Sequence, residues 1–346
     1  MSSPCKLIVV VGATGNQGSS VARTFLQLNH WDVRCVTRNV SSVAAKNLAS
    51  LGAGVVEANL ADLASLHRAF ANANAIFVNT DFWGPYRSST VTGGQSKSSD
   101  EAFQEEVLHG QNAAIAAAEI PTLERFVYSA LGPMKKHSRG KYSCSYHWDS
   151  KATIVEYIER DQPSLARKTS FIYPAVYATN PLFMPSLNAS TGRYQFVLPL
   201  PKDLEIPIIN PSESTGPFVR ALVENERPGV KLLAYDTSLT VEAIVKAWNH
   251  ATGRLAELVE VSVDYMHREL GIPLEVLDAP PYIAEFGYMG GLDNVLYPRD
   301  LAVPVQTPSF TSWLNAQDWQ QVLDGGKAEL TSVLEDASEC VESEKV

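Results

Sequence analysis

Lys6-Leu7-Ile8-Val9-Val10-Val11-Gly12-Ala13-Thr14-Gly15-Asn16-Gln17-Gly18 is the stretch on which the fold turns. Its first six residues are almost continuously apolar and β-branched, as expected of a parallel strand covered on both faces, and the run breaks at Gly12. Residues 19–28 then place Val21, Ala22, Phe25, Leu26 and Leu28 on a helical stripe, and residues 32–37 return to strand character. Strand, glycine turn, helix and strand make one βαβ unit. In that context the glycines have separate tasks. Gly12 permits the tight turn, Gly15 lets the backbone approach a pyrophosphate, and Gly18 lets the helix pack on the sheet. The first N–H groups of the helix and its positive dipole end suit phosphate, with Thr14, Asn16 and Gln17 completing the loop. The plainer alternative is a tight strand-to-helix turn with no ligand.

Outward from this unit the alternation continues. A helix is expected after Ser41, a strand at Gly54–Glu57, a helix from about Asp62 and a strand at 75–79. A helix at 100–118 and a strand at Arg125–Ser129 follow. Such an order predicts an α/β fold with a Rossmann-type, doubly wound parallel sheet. Residues 81–100 and 132–145 are rich in Gly, Ser, Thr and Pro and read as two long loops on the carboxyl edge of the sheet, where ligands bind in open α/β folds. Beyond about Thr169 prolines multiply, and helices are expected at 217–224, 240–252 and 261–270. The division expected is a nucleotide-binding domain over 1–165 and a smaller, irregular substrate-side domain over 166–334, with some segments returning to the first. An acidic, mobile tail is expected over 335–346.

The end of the second expected strand speaks to the cofactor. An acidic residue there suits the ribose hydroxyls of NAD, whereas an arginine accommodates a 2′-phosphate. The chain reads Val36-Thr37-Arg38-Asn39 with no competing acid, so Arg38 points to NADP(H). Its alternative is an ordinary exposed arginine at a strand end. Asn59, after the third strand, and Asn79 and Thr80, after the fourth, are expected along the cofactor; Asp62 reads equally well as a helix N-cap.

Composition narrows the partners. With 346 residues, 45% of them hydrophobic, the chain can bury a substantial core, and a formal net charge of −10 argues against a nucleic-acid partner. Lys135, Lys136, His137, Arg139 and Lys141 cluster locally but read as a solvated loop. Cys5, Cys35, Cys144 and Cys340 show no metal spacing, so free thiols and no metal site are expected, in the cytoplasm. No apolar run approaches a membrane span, and the sequence does not fix an oligomeric state.

With the Gly12–Gly18 loop, Val21-Ala22-Arg23-Thr24-Phe25-Leu26, Val36-Thr37-Arg38-Asn39, His147-Trp148-Asp149-Ser150-Lys151 and Thr215-Gly216-Pro217-Phe218-Val219 in hand, the chain resembles the NmrA-like family of atypical extended short-chain dehydrogenase/reductases. The resemblance spans about residues 5 to 325 and implies one of two functions. One is an NADPH-dependent reductase of a small apolar or aromatic metabolite; the other is a non-catalytic NADP(H)-sensing regulator that binds a protein partner. It also implies a Ser, Tyr and Lys set, with Tyr and Lys four residues apart on one helix face. Here Ser129 and Lys151 fill the Ser and Lys places, but His147 stands at the Tyr place, either as the acid or as a packed residue of a silent site. Tyr146 is one position off register. Phe82, Trp83, Tyr146 and Tyr177 are expected to line a substrate pocket. Tyr86, Tyr142, Trp148, Phe183, Met184, Tyr282, Phe286 and Tyr288 are further candidates that serve equally well as core.

Overall fold

In the computed structural model, which describes residues 5–91 and 99–323, the chain opens as β1 (Lys6–Val11), α1 (Asn16–Leu26), β2 (Trp31–Thr37), α2 (Val43–Ser50), β3 (Gly54–Glu57), α3 (Leu63–Phe70) and β4 (Ala75–Val78). It continues through α4 (Trp83–Val91), α5 (Ser99–Ala118), β5 (Arg125–Ser129), α6 (Met134–His137), α7 (Tyr146–Asp161), α8 (Pro163–Ala166) and β6 (Thr169–Pro174). The second half runs β7 (Val176–Tyr177), β8 (Ser186–Asn188), β9 (Arg193–Leu198), β10 (Glu205–Ile209), α9 (Pro211–Glu224), β11 (Lys231–Ala234), β12 (Thr237–Thr240) and α10 (Val241–Thr252). After these come β13 (Ala256–Glu260), α11 (Val263–Arg268), α12 (Leu274–Leu277), α13 (Ala279–Phe286), β14 (Val295–Leu296) and α14 (Phe310–Ala316).

Eight strands form the main sheet in the order β14-β11-β6-β5-β4-β1-β2-β3, and every pairing within it is parallel. This is the doubly wound Rossmann arrangement, with the chain reversing direction across the sheet between β1 and β4. The near-continuous apolar run of β1 has its reason in the two faces. Ile8 and Val10 pack with Val21 and Phe25 of α1 and Phe218 and Leu222 of α9. Val9 and Val11 pack with Leu66 and Phe70 of α3, Ala113 of α5 and Ile154 of α7. Alternate side chains of one strand thus serve two cores. Three of the eight strands, β6, β11 and β14, come from beyond residue 166.

The rest of the second half builds two small sheets, β12-β10-β7 and β13-β9-β8, around a third core that includes Phe196, Ile206, Ile208, Trp248 and Trp313. Among the described residues no helix is long and apolar enough to cross a membrane, and Cys5, Cys35 and Cys144 are free.

Three expectations need correction. The segment 81–100 is not a continuous loop: α4 occupies Trp83–Val91 and α5 begins at Ser99. Its composition hid a local device, in which Asp81 Oδ1 accepts the Gly84 N–H at 3.0 Å and the Phe82 and Tyr86 rings stack at 5.7 Å, one helical turn apart. The segment 132–145 likewise holds the short helix α6. Helix α9 starts six residues before the expected Pro217, because Pro211 occupies its first turn and Pro217 is tolerated inside it. The tail over 335–346 lies outside the described residues, as do Gly93, Gly94 and Cys340.

Candidate active site

The glycine loop joins the C-terminal end of β1 to α1. Gly12 has φ +73°, the left-handed region that a side chain resists. A Cβ on Gly18 would lie 2.2 Å from the Gly12 carbonyl oxygen, so the helix approaches the loop as closely as the backbone allows. Gly15 is the N-cap of α1 and supplies no side-chain hydrogen bond, which leaves the leading N–H groups for another acceptor. Thr14, Gly15 and Asn16 are exposed, whereas Gln17 and Gly18 are buried. Arg38, exposed, follows β2; Asn79 follows β4, and its carbonyl lies 3.2 Å from where a Gly12 Cβ would stand. Loop, Arg38 and Asn79 therefore share the carboxyl edge at the β1/β4 reversal.

Behind this edge lies a buried polar network that the sequence did not reveal. Lys151, on α7, forms an ion pair with Glu106 of α5 at 2.9 Å, and Glu106 has 0% relative exposure. Lys151 Nζ also donates to the Thr80 carbonyl at 3.0 Å and to Thr80 Oγ1 at 3.1 Å. A lysine has three N–H donors, and all three are engaged. Thr80 Oγ1 donates to Glu106 at 2.7 Å, so in its 2.9 Å contact with Tyr128 the phenol is the donor. Ser150 donates to the other Glu106 oxygen. Burial, reinforced by Glu106, pushes the Tyr128 phenol well above its ordinary value. Glu106 sits on the buried face of α5 with Ala102, Val107, Gly110, Ala113 and Ala114; an acid in phase with that small-residue stripe was the signal available.

His147 has its own carboxylate. Its Nδ1 lies 2.6 Å from Glu275 Oε1, and its backbone N–H donates to the same oxygen at 2.9 Å. Glu275 belongs to α12 and is 4% exposed. The imidazole lies beside Trp83, with ring centroids 4.9 Å apart, and beside Phe82 at 5.9 Å. No partner of His147 Nε2 is found among the described residues.

The remaining expected residues scatter. Tyr177 accepts a 2.6 Å hydrogen bond from Gln17 Nε2, tying the second half to the glycine loop rather than to the Trp83 group. Tyr146 faces a cleft of about 320 Å³ with Asp100, Phe103, Lys135 and Asp149, and burial pushes the Asp149 carboxyl up to about 6 against the Lys135 N–H that opposes it. Asn59 is exposed, and its Oδ1 accepts the Ala61 N–H at 2.9 Å. Asp62 caps α3 through Ala64 and Ser65. Ser129 closes β5 at 1% exposure. Trp148, Phe183 and Tyr282 are core residues. Of the aromatics singled out, Phe82, Trp83 and Tyr86 are the ones that gather at His147.

Comparison with known proteins finds relatives in sequence and in fold. An NmrA-like family domain-containing oxidoreductase of Aspergillus campestris is 48% identical over 79 residues, 23% of this chain and 23% of that protein. The first relatives are matched over 23%, 23% and 27% of their own lengths. A counterpart from Aspergillus hancockii aligns over 290 residues at 27% identity, covering 79% of this chain and 80% of that one. Among solved structures, Nmra, a negative transcriptional regulator in complex with NADP, superposes with a TM-score of 0.64 at 18% identity, covering 95% of this chain and 98% of that one. The Citrobacter sp. triphenylmethane reductase complexed with NADP(H) gives 0.62 at 17%, covering 90% and 98%. At such identities the structures share the fold. The profile of the NmrA-like family matches residues 4–301, taking in the glycine loop, Arg38, the His147–Lys151 helix and Glu275, and the chain belongs to that family.

Proposed function

We propose that the protein is an NADPH-dependent reductase of a small apolar or aromatic metabolite, with His147 as proton donor. The observation that carries the reading is His147 itself, anchored on one nitrogen by Glu275, flanked by Phe82 and Trp83, and, among the described residues, without a partner on the other nitrogen. Relatives named as oxidoreductases, and a reductase of the same fold that binds NADP(H), support it. The regulatory alternative, which one neighbour of the same fold represents, is not better supported.

The residues fit the cofactor. The cradle between Gly12 and Gly18 is one that a Cβ would fill, and the uncapped start of α1 offers N–H groups to a pyrophosphate. Exposed Arg38 offers a fork of donors to a 2′-phosphate. The cofactor, when bound, supplies the hydride. His147 supplies the proton, and Trp83 and Tyr86, packed on the buried Phe82 ring, offer flat apolar surface to the substrate while excluding water.

In short-chain dehydrogenases with a tyrosine acid, the neighbouring lysine's charge eases ionisation of the phenol. Here Glu106 already compensates Lys151, and the acid is an imidazole, whose protonated form donates without a neighbouring cation to ionise it. The two departures from the usual set are mutually consistent. Lys151 reaches a cofactor ribose only by releasing one of its Thr80 contacts.

NADPH oxidation followed across a panel of carbonyls, enones and aromatic ketones tests the proposal. At least one compound is turned over, and His147→Ala lowers kcat about 10²- to 10⁴-fold, the usual contribution of a general acid. Turnover that survives the substitution unchanged removes His147 from the chemistry, and inactivity across the panel counts against the enzyme.

A further inference from the structure

Glu275 reaches the site from the far half of the chain, 128 residues from His147, and its environment is unusual for a structural acceptor. One oxygen, Oε1, takes both the backbone N–H and the ring nitrogen of His147. The other, Oε2, is buried and has no hydrogen-bond partner among the described residues. A buried carboxylate short of donors is unfavourable unless a positive charge stands beside it, and the group in contact that can become positive is the imidazole.

The surroundings hold the carboxylate in place. The Glu275 carbonyl accepts from Ser145 Oγ at 2.9 Å, and Asp278 Oδ2 accepts the Cys144 N–H at 2.6 Å. Helix α12 is thereby pinned to the start of α7, the helix that carries His147.

We infer that Glu275 is the positioning residue of the proton donor: it keeps a proton on His147 Nδ1 so that Nε2 is the atom that gives a proton to the substrate. The inference rests on the reductase reading for its purpose, though not for its geometry. Because an ionised Glu275 only accepts, Nδ1 carries hydrogen whether the ring is neutral or charged. The imidazolium releases the Nε2 proton to the substrate atom opposite the one that receives hydride, and returns to the neutral Nδ1–H tautomer still bound to Glu275. The carboxylate opposes the positive charge of the loaded acid and orients the ring throughout. Trp83 and Phe82 fix the ring from the side.

The test is ¹⁵N NMR of the histidine-labelled full-length protein, with His147 assigned by comparison with His147→Ala and spectra taken at a pH where the ring is neutral. Wild type is expected to show a protonated Nδ1 and a bare Nε2. Glu275→Gln, whose amide oxygen can accept both N–H groups, keeps that pattern, while Glu275→Ala loses it and moves the proton to Nε2 or to a mixture. A protonated Nε2 in wild type overturns the inference, and so does an unchanged tautomer in Glu275→Ala. Should Glu275→Ala fail to fold, the wild-type tautomer decides alone. The spectra need no substrate, so absence of turnover would sink the reductase reading while leaving the positioning role standing.

Discussion

Glu106 shows how much one residue can hold. Its carboxylate accepts from Lys151, Thr80 and Ser150, joining α5, α7 and the end of β4 behind the cofactor edge. Removing one member of a buried ion pair leaves the other uncompensated, at a cost of about 3–5 kcal/mol. Glu106→Gln should therefore lower the denaturant midpoint by an amount equivalent to that loss; a change under about 1 kcal/mol would show that Lys151 finds other partners. Lys151 was legible because its spacing from His147 places both on one helix face. Glu106 and Glu275 were not, because an acid in a helix looks exposed until its partners, distant in sequence, are known. For Glu106 the surrounding Ala and Gly stripe held a hint. For Glu275, in a four-residue helix, no periodic signal existed.

At the scale of elements, β1 and the glycine turn were readable because burial on both faces writes itself as an uninterrupted apolar run. Helix α4 was not, since Trp83-Gly84-Pro85-Tyr86-Arg87-Ser88-Ser89 has loop composition and is started by the Asp81 cap and the Phe82–Tyr86 stack. Helix α9 is the most informative element. It crosses α1 so closely that a Cβ on Gly216 would lie 2.1 Å from Thr24 Oγ1 and 2.3 Å from the Ser20 carbonyl oxygen, while the Gly216 N–H donates to Ser20 Oγ at 2.9 Å. Since the glycine loop opens into α1, α9 sets its position. Gly216→Ala is expected to destabilise the protein by about 1–3 kcal/mol through overpacking. A lower melting temperature in a thermal scan is the predicted outcome; an unchanged one would mean that the two helices separate freely.

Across the whole molecule, the candidate site is assembled from both halves. Gln17 meets Tyr177 over 160 residues of sequence, Arg23 reaches the Ser212 carbonyl at 2.5 Å over 189, and His147 meets Glu275. Local periodicity carries no record of such pairings, which is why the glycine loop and Arg38 could be singled out from sequence while the Gln17–Tyr177 bond and Glu275 had to await the fold. The same geometry explains why aromatic residues were a poor guide: most of them complete the third core, and those at the start of α4 turn toward His147.

NADP(H) is expected to bind this carboxyl edge through the Gly12–Gly18 cradle and Arg38. Calorimetric titration of wild type and Arg38→Ala with NADPH and NADH tests it most directly. The prediction is a clear preference of wild type for NADPH and, in Arg38→Ala, a loss of about tenfold to a hundredfold for NADPH with NADH little changed, as expected when one charge-assisted phosphate contact is removed. Equal affinity of wild type for the two cofactors, or equal weakening of both by the substitution, would contradict it.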